Sequence, residues 1–216
     1  LCLKPNQVSN EIILVGDPFR VDIMSKYLDD IEFSIQNREF KCVTGYYNKK
    51  RVSVISTGIG GCNIEIVINE LDALFNYDFT NKCFKNTHKS INFMRIGTSG
   101  SISAEIPIDS WLISEYAIDI NSQLSFYDLK NYNRENIEVI SFEDKILHCF
   151  KSSNTLFQKF YSHKLYKGLT ATCNGFYAFQ GRETRIPLAS TIDIDDLKSI
   201  KFKKNHITNL EMETAI

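Results

Sequence analysis

The residues best suited to chemistry lie in residues 91–102, where Ile91-Asn92-Phe93-Met94-Arg95-Ile96 runs into Gly97-Thr98-Ser99-Gly100-Ser101. An apolar run carrying one arginine, stopped by glycines and hydroxyls, reads as a buried strand ending in a tight loop. Glycines let a backbone approach a ligand closely, and loop N–H groups form an anion-binding concavity. With the Arg95 guanidinium and the Thr98 and Ser99 hydroxyls beside it, phosphate or a phosphorylated sugar is the natural guest. The alternative this stretch leaves open is a strand and turn whose arginine only reaches solvent.

Three other places carry compatible chemistry. Glu11–Val15 is an apolar run read as a central strand, followed by Gly16-Asp17-Pro18 and a helical pattern with Val21, Met24, Ser25 and Leu28 on one face. Asp17 suits the N-cap and Pro18 the first turn. Gly16 therefore stands at a strand-to-helix corner, a favoured place for an anion. Arg20 falls in the first helical turn, where the dipole disfavours a cation unless an anion is bound. Further on, Gln180 and Arg182 are two residues apart and in an extended chain share a face. An amide both donates and accepts while a guanidinium only donates, so the pair could read a flat heterocycle with an N–H between carbonyls. Finally, Glu211 and Glu213 sit at the end of a short strand, residues 207–210, where two carboxylates are costly unless exposed or paired with a ligand.

Weaker signals surround these. Arg38 and Glu39 read as a solvated strand edge. The loop Ser56-Thr57-Gly58-Ile59-Gly60-Gly61 lacks the GxGxxG spacing and reads as close packing of a helix on a sheet. That helix buries one face through Ile64, Val67, Ile68, Leu71, Leu74 and Phe75.

The positioning elements follow from the remaining pattern. Residues 31–55 predict two or three strands with a turn at Asn48-Lys49-Lys50; residues 76–90 predict a loop and 109–118 a strand. Residues 119–135 predict a polar loop, 142–161 a helix, 165–172 a strand and 193–202 a short amphipathic helix. Alternating strands and helices make the class α/β: one domain over residues 1–216 with a central mixed sheet flanked by helices. The candidate ligand residues lie at or past strand ends, where ligands gather in such folds.

Composition narrows the classes. The 216 residues are 43% hydrophobic and 24% charged, with a net charge of −1. That fits a globular chain and predicts neither a nucleic-acid partner nor an anionic membrane surface. No apolar run reaches the ~18 residues of a membrane span, and the N-terminus carries no cleavable signal pattern. Six dispersed cysteines without a CxxC pair, and four scattered histidines, read as free thiols of a reducing, cytoplasmic compartment with no metal site. Leu1 at the start and a helix just begun at residues 211–216 predict missing residues at both ends, with a truncated C-terminal helix.

Together, Gly16 to Val21 (GDPFRV), Asn37 to Phe40 (NREF), Ser56 to Gly61 (STGIGG), Arg95 to Gly100 (RIGTSG), Phe176 to Arg182 (FYAFQGR) and Asn209 to Ala215 (NLEMETA) resemble the nucleoside phosphorylase family, its uridine phosphorylase branch most closely. The family cleaves an N-glycosidic bond with inorganic phosphate, giving a free base and a pentose 1-phosphate. The resemblance implies that Gly16, Arg20, Arg95 and Thr98 hold phosphate, and that Arg38 reaches the phosphate of a neighbouring subunit in a hexamer built of dimers. It implies Met212 and Glu213 for the ribose, and Phe176, Gln180, Arg182, Ser99 and Gly100 for the base. Arg95, Thr98, Glu213 and Arg182 would carry the catalysis. No cofactor is implied, phosphate being a co-substrate. Purine-specific relatives lack the Gln180-x-Arg182 pair, which favours a pyrimidine. A purine nucleoside phosphorylase and a nucleoside-binding chain without turnover are the alternatives.

Overall fold

The computed structural model describes residues 1–129, 136–142, 145–189 and 194–216. The chain forms two compact units, Leu1–Gly97 and Thr98–Ile216. The expected mixed α/β architecture is present, with its strands shared between a main sheet in each unit.

The first unit contains, in chain order, β1 (Glu11–Val15), α1 (Pro18–Ser25), β2 (Asp30–Asn37), β3 (Phe40–Tyr47), β4 (Lys50–Ser56), α2 (Gly61–Asn76), the small hairpin β5 (Tyr77–Asp78) and β6 (Cys83–Phe84), and β7 (Asn92–Arg95). The main sheet runs β2-β3-β4-β1-β7. β2, β3 and β4 form an antiparallel meander, whereas β1 lies parallel to both β4 and β7. A tight turn joins β3 to β4 with Asn48 and Lys49 at φ of 47° and 65°, the left-handed twist that two-residue hairpin turns require. Asp17 caps α1 by accepting from the Arg20 N–H at 3.1 Å, and Pro18 opens it. Val21 then packs with Val15, Val43 and Val54, with Met24 and Leu28 against them. α2 buries Ile64, Val67, Leu71 and Phe75, the face its periodicity predicts.

The second unit contains β8 (Gly100–Ser101), β9 (Leu112–Asp119), β10 (Ile137–Phe142), β11 (Lys145–Lys151), α3 (Asn154–Phe160), β12 (Tyr166–Thr172), α4 (Ile194–Ser199), β13 (Lys201–Phe202) and β14 (Asn205–Glu211). Its sheet runs β10-β11-β9-β12-β14-β13, with β8 paired to β14. β9, β12 and β14 are mutually parallel. Ile118, Ile120, Leu147, Leu169, Ala171, Leu197, Ile200, Ile207 and Leu210 form the core.

Several expectations are corrected. Residues 142–161 do not form one helix: β10 and β11 pair as an antiparallel hairpin, and only α3 is helical. The alternation explains it. Leu147 and Cys149 are buried while Ile146 is 60% exposed, a period of two rather than 3.6. Ser153 then starts α3 as its N-cap, accepting from the Leu156 N–H. Arg38 lies in the β2–β3 turn at φ 56°, not inside a strand. Residues 76–90 include the hairpin β5–β6. Residues 130–135 of the expected polar loop, 143–144 of the expected helix and residue 193 of the expected amphipathic helix lie outside the described residues. Residues 212–216 form a turn in which the Ile216 N–H donates to the Glu213 carbonyl at 3.1 Å. Among the described residues no helix is long and apolar enough to cross a membrane.

Candidate functional site

In the first unit three parallel strands end side by side. Beyond the ladders, the Thr57 N–H donates to the Val15 carbonyl and the Ile96 N–H to the Leu14 carbonyl, each at 2.8 Å. A glycine follows close on each strand: Gly58 after β4, Gly16 after β1 and Gly97 after β7. At Gly16 a Cβ would lie 2.6 Å from Arg20 Nη2. At Gly97 it would collide with Arg95 Nη1 and stand 3.0 Å from Cζ. Two guanidinium groups thus lie against bare backbone at neighbouring strand ends, because no side chain occupies that space.

Arg20 is held from two sides. Its Nε donates to Asp17 Oδ2 at 2.8 Å and its Nη1 to the Ile96 carbonyl at 3.2 Å. The side-chain hydrogen bond from Arg20 is the main reason the Asp17 carboxyl sits below its usual pKa. A cation in a first helical turn is therefore answered in part by the N-cap carboxylate itself. Nη2, lying over Gly16, makes no hydrogen bond among the described residues. The arrangement brings Gly16, Arg20 and β7, which carries Arg95, together. Arg38 is exposed and makes no ion pair among the described residues. Gly58, at φ 72°, has Glu39 and Asn63 packed where a Cβ would go, so this loop serves close packing as expected.

In the second unit β9, β12 and β14 end at Asp119, Thr172 and Glu211, all three buried. Beyond β14 stand Met212, half-buried, and Glu213, buried. The Glu211 carboxylate accepts from the Glu213 N–H at 2.9 Å, and from the Thr214 N–H at 3.0 and 2.9 Å. The Glu211 carboxylate is thus answered by the backbone of its own turn, neither exposed nor left for a ligand, and Glu213 stands beyond it.

The segment after β12 is not extended. A short 3₁₀ turn, Ala178–Gln180, is closed by Gly181 at φ 67°. Gln180 and Arg182 therefore do not share a face as an extended chain would place them. Gln180 is only 2% exposed, and its side-chain amide makes no hydrogen bond among the described residues. Arg182 is half-buried, its Cζ 4.0 Å from the centre of the Phe176 ring and its Nη1 donating to the Phe176 carbonyl at 3.1 Å. Gly100 approaches this guanidinium: a Cβ there would lie 3.4 Å from Arg182 Nη2. Gly100 is brought there because β8 pairs with β14 opposite Leu210. Thr98 and Ser99, just before it, are exposed.

The sequence reading missed the residues that brace these segments. Asp119 accepts from the N–H groups of Asn121 and Leu124 at 3.1 and 2.9 Å. Asn121 Oδ1 accepts from the Asn174 N–H at 2.6 Å, fixing the start of the 174–182 segment. Thr172 donates to Glu211 Oε1 at 2.5 Å. One available signal was polar residues buried in apolar strands: Thr170 and Thr172 alternate with Leu169 and Ala171 in β12. Among the described residues no cluster of three or more His, Cys, Asp or Glu could hold a metal ion.

One unit thus presents guanidinium groups beside strand-end glycines, a set suited to an oxyanion. The other presents a buried carboxylate, a buried amide with unused hydrogen-bonding capacity, and a guanidinium stacked on an aromatic ring.

Comparisons with known proteins identify the family. Residues 11–216 match the Phosphorylase superfamily. Uridine phosphorylase of Thermococcus kodakarensis is 28% identical over 218 aligned positions, covering 100% of this chain and 68% of that protein. A DeoD-type purine nucleoside phosphorylase of a Thermoanaerobacter species is 33% identical over 112, covering 51% of this chain and 42% of that protein. Among solved structures, a Trypanosoma brucei nucleoside phosphorylase described as showing uridine phosphorylase activity superposes with a TM-score of 0.79 at 28% identity, covering 98% of this chain and 79% of that one.

Proposed function

Because the chain belongs to the phosphorylase superfamily, we propose that it is a pentosyltransferase that cleaves uridine with inorganic phosphate, giving uracil and ribose 1-phosphate in nucleoside salvage. The observation that carries the pyrimidine reading is Gln180. Its side chain is 2% exposed and its amide makes no hydrogen bond among the described residues, so a donor and an acceptor are left open to a ligand. Its donor and acceptor match the adjacent N–H and carbonyl of a pyrimidine edge.

The reaction follows from the groups present. Phosphate, held by Gly16, Arg20, Arg95 and Thr98, attacks C1′ as the C1′–N1 bond breaks. The bonding pair leaves on the pyrimidine ring, and Arg182 stabilises that developing negative charge. Glu213 accepts from the 2′ and 3′ hydroxyls and opposes the positive charge growing on the sugar, with Met212 beside it. Ser99, Gly100 and Phe176 line the base. The step requires no metal or organic cofactor. Positioning by several fixed donors supplies much of the acceleration.

We further assign Arg38 to the phosphate of a neighbouring copy in a dimer-built hexamer; its exposed turn, with no ion pair among the described residues, leaves it available. The cysteines among the described residues are free, and burial pushes the Cys42 thiol up to about 11 and the Cys149 and Cys173 thiols up to about 12. Unpaired thiols suit a cytoplasmic location. The second reading is a purine nucleoside, supported by the similarity to purine nucleoside phosphorylases.

The test is phosphate-dependent base release from uridine and, in parallel, inosine, using this chain and a form extended at both ends. Uracil release supports the proposal. Hypoxanthine release instead transfers the assignment to purines, and release of neither base by either form overturns the enzyme reading.

A further inference from the structure

Glu213 lies in a turn whose backbone is held by two side chains from different strands. Three consecutive N–H groups are captured there. Those of Glu213 and Thr214 donate to the Glu211 carboxylate, and that of Ala215 donates to Thr172 Oγ1 at 2.9 Å. Thr172 in turn donates to Glu211 Oε1 at 2.5 Å. The parallel ladder sets Thr172 opposite Glu211, so the two strand ends meet in register. Thr172 is 0% exposed and Glu211 6%, so water does not compete for these bonds. Hydrogen bonds to an ionised acceptor are the stronger kind.

The same pair also fixes the neighbouring segment. The Cys173 N–H donates to the Glu211 carbonyl at 2.9 Å, one residue before Asn174 and the run to Gln180 and Arg182. The turn carrying Glu213 and the start of the segment carrying Gln180 are therefore tied to one point.

We propose that Thr172 and Glu211 are positioning residues that set the Glu213 carboxylate for the ribose hydroxyls and hold it at a fixed spacing from the base-reading segment. This deepens the phosphorolysis reading and rests on it. Neither residue contacts the substrate in this assignment; both act through the backbone of residues 213–215. Thr172 does so with its hydroxyl alone, so removing that oxygen at constant shape isolates the effect.

The experiment compares wild type, Thr172→Val, Thr172→Ser and Glu211→Gln on uridine and 2′-deoxyuridine, with phosphate varied. A displaced Glu213 loses its bond to the 2′ hydroxyl, which only uridine carries. Thr172→Val should therefore lower kcat/KM for uridine about 10- to 100-fold. The loss on 2′-deoxyuridine should be several-fold smaller, and the KM for phosphate should not move. Thr172→Ser should restore the wild-type ratio between the two substrates. Equal losses on both substrates, a parallel rise in the phosphate KM, or no loss at all would overturn the proposal. If Thr172→Val lacks a cooperative melt, Glu211→Gln, which keeps one acceptor oxygen, is read by the same criteria. Amide hydrogen exchange at residues 213–215 gives a reading without turnover. Protection should fall there in Thr172→Val, and unchanged protection would overturn the brace even if wild type releases no base. Wild-type failure with intact exchange effects would instead count against the phosphorolysis reading alone.

Discussion

The two units solve the problem of holding polar groups at strand ends in different ways. In the first, Gly16 and Gly97 leave room, and long, half-exposed guanidinium side chains occupy it. In the second, the buried side chains of Asp119, Thr172 and Glu211, with the half-buried Asn121, capture backbone N–H groups and fix the turns that follow. One arrangement depends on an absent Cβ and a flexible arm. The other depends on bonds that water cannot replace. Substitutions should therefore separate cleanly: changes in the first unit should alter phosphate handling with little loss of stability, and changes in the second should alter nucleoside handling and stability together.

The largest effect expected is from Arg95→Ala. With Arg95 assigned to the transferring phosphate, its removal should lower kcat/KM by on the order of 10²–10³-fold, measured with saturating uridine and varied phosphate. Gly97→Ala and Gly16→Ala come next. The colliding atoms are the far ends of flexible arginines, so unfolding free energy should stay within about 0.5 kcal/mol of wild type. The displaced guanidinium should nevertheless raise the phosphate KM about tenfold. A large stability loss in either variant would break the contrast between the units.

Asn121→Ala tests the other side. It removes the partner of the half-buried Asn174 N–H, a loss of about 0.5–1.5 kcal/mol in stability. The KM for nucleoside should rise and that for phosphate should not, by steady-state kinetics beside a denaturant melt.

The smallest effect is that of Asp17→Asn. Asparagine caps as well as aspartate, so the change removes only the charge pairing with a half-exposed Arg20, worth about 0.2–1 kcal/mol. Because Arg20 lowers the Asp17 pKa below 3.8, the wild-type advantage is present above that pH and is lost as pH falls through the depressed value. Melting curves of both proteins between pH 3 and 7 should converge only at the acid end. Convergence near neutrality would contradict the pairing.

The same contrast governs what was legible in the sequence. Gly16, Asp17, Pro18 and Arg20 could be read because a cap, a helix start and a strand end are neighbours in the chain. Arg95 and Gly97 are equally local. The braces of the second unit are not. Thr172 meets Glu211 across a ladder, and Asn121 meets Asn174 after the chain has passed through β10, β11, α3 and β12. No local period encodes such a pairing. Gln180 and Arg182 stand out in the sequence by residue type, but their geometry does not, because a 3₁₀ turn closed by a left-handed Gly181 takes the place of an extended chain. The strand β11 reads as helix in the sequence because its apolar residues run on into those of α3 and blur a period of two.

The register of β1 with β7 carries one more consequence, in the order of folding. β3 and β4 meet across a tight turn, whereas Glu11 and Asn92 are 81 residues apart when their side chains bond. Loop-closure entropy makes the distant pairing the slower and later one. The meander can form while β1 still lacks its outer neighbour and the Ile96 carbonyl is not yet beside Arg20. An anion that binds only the finished strand ends adds its binding free energy to that last closure and none to the hairpins before it. In refolding, phosphate should leave the early phase unchanged and slow the reopening of the completed sheet.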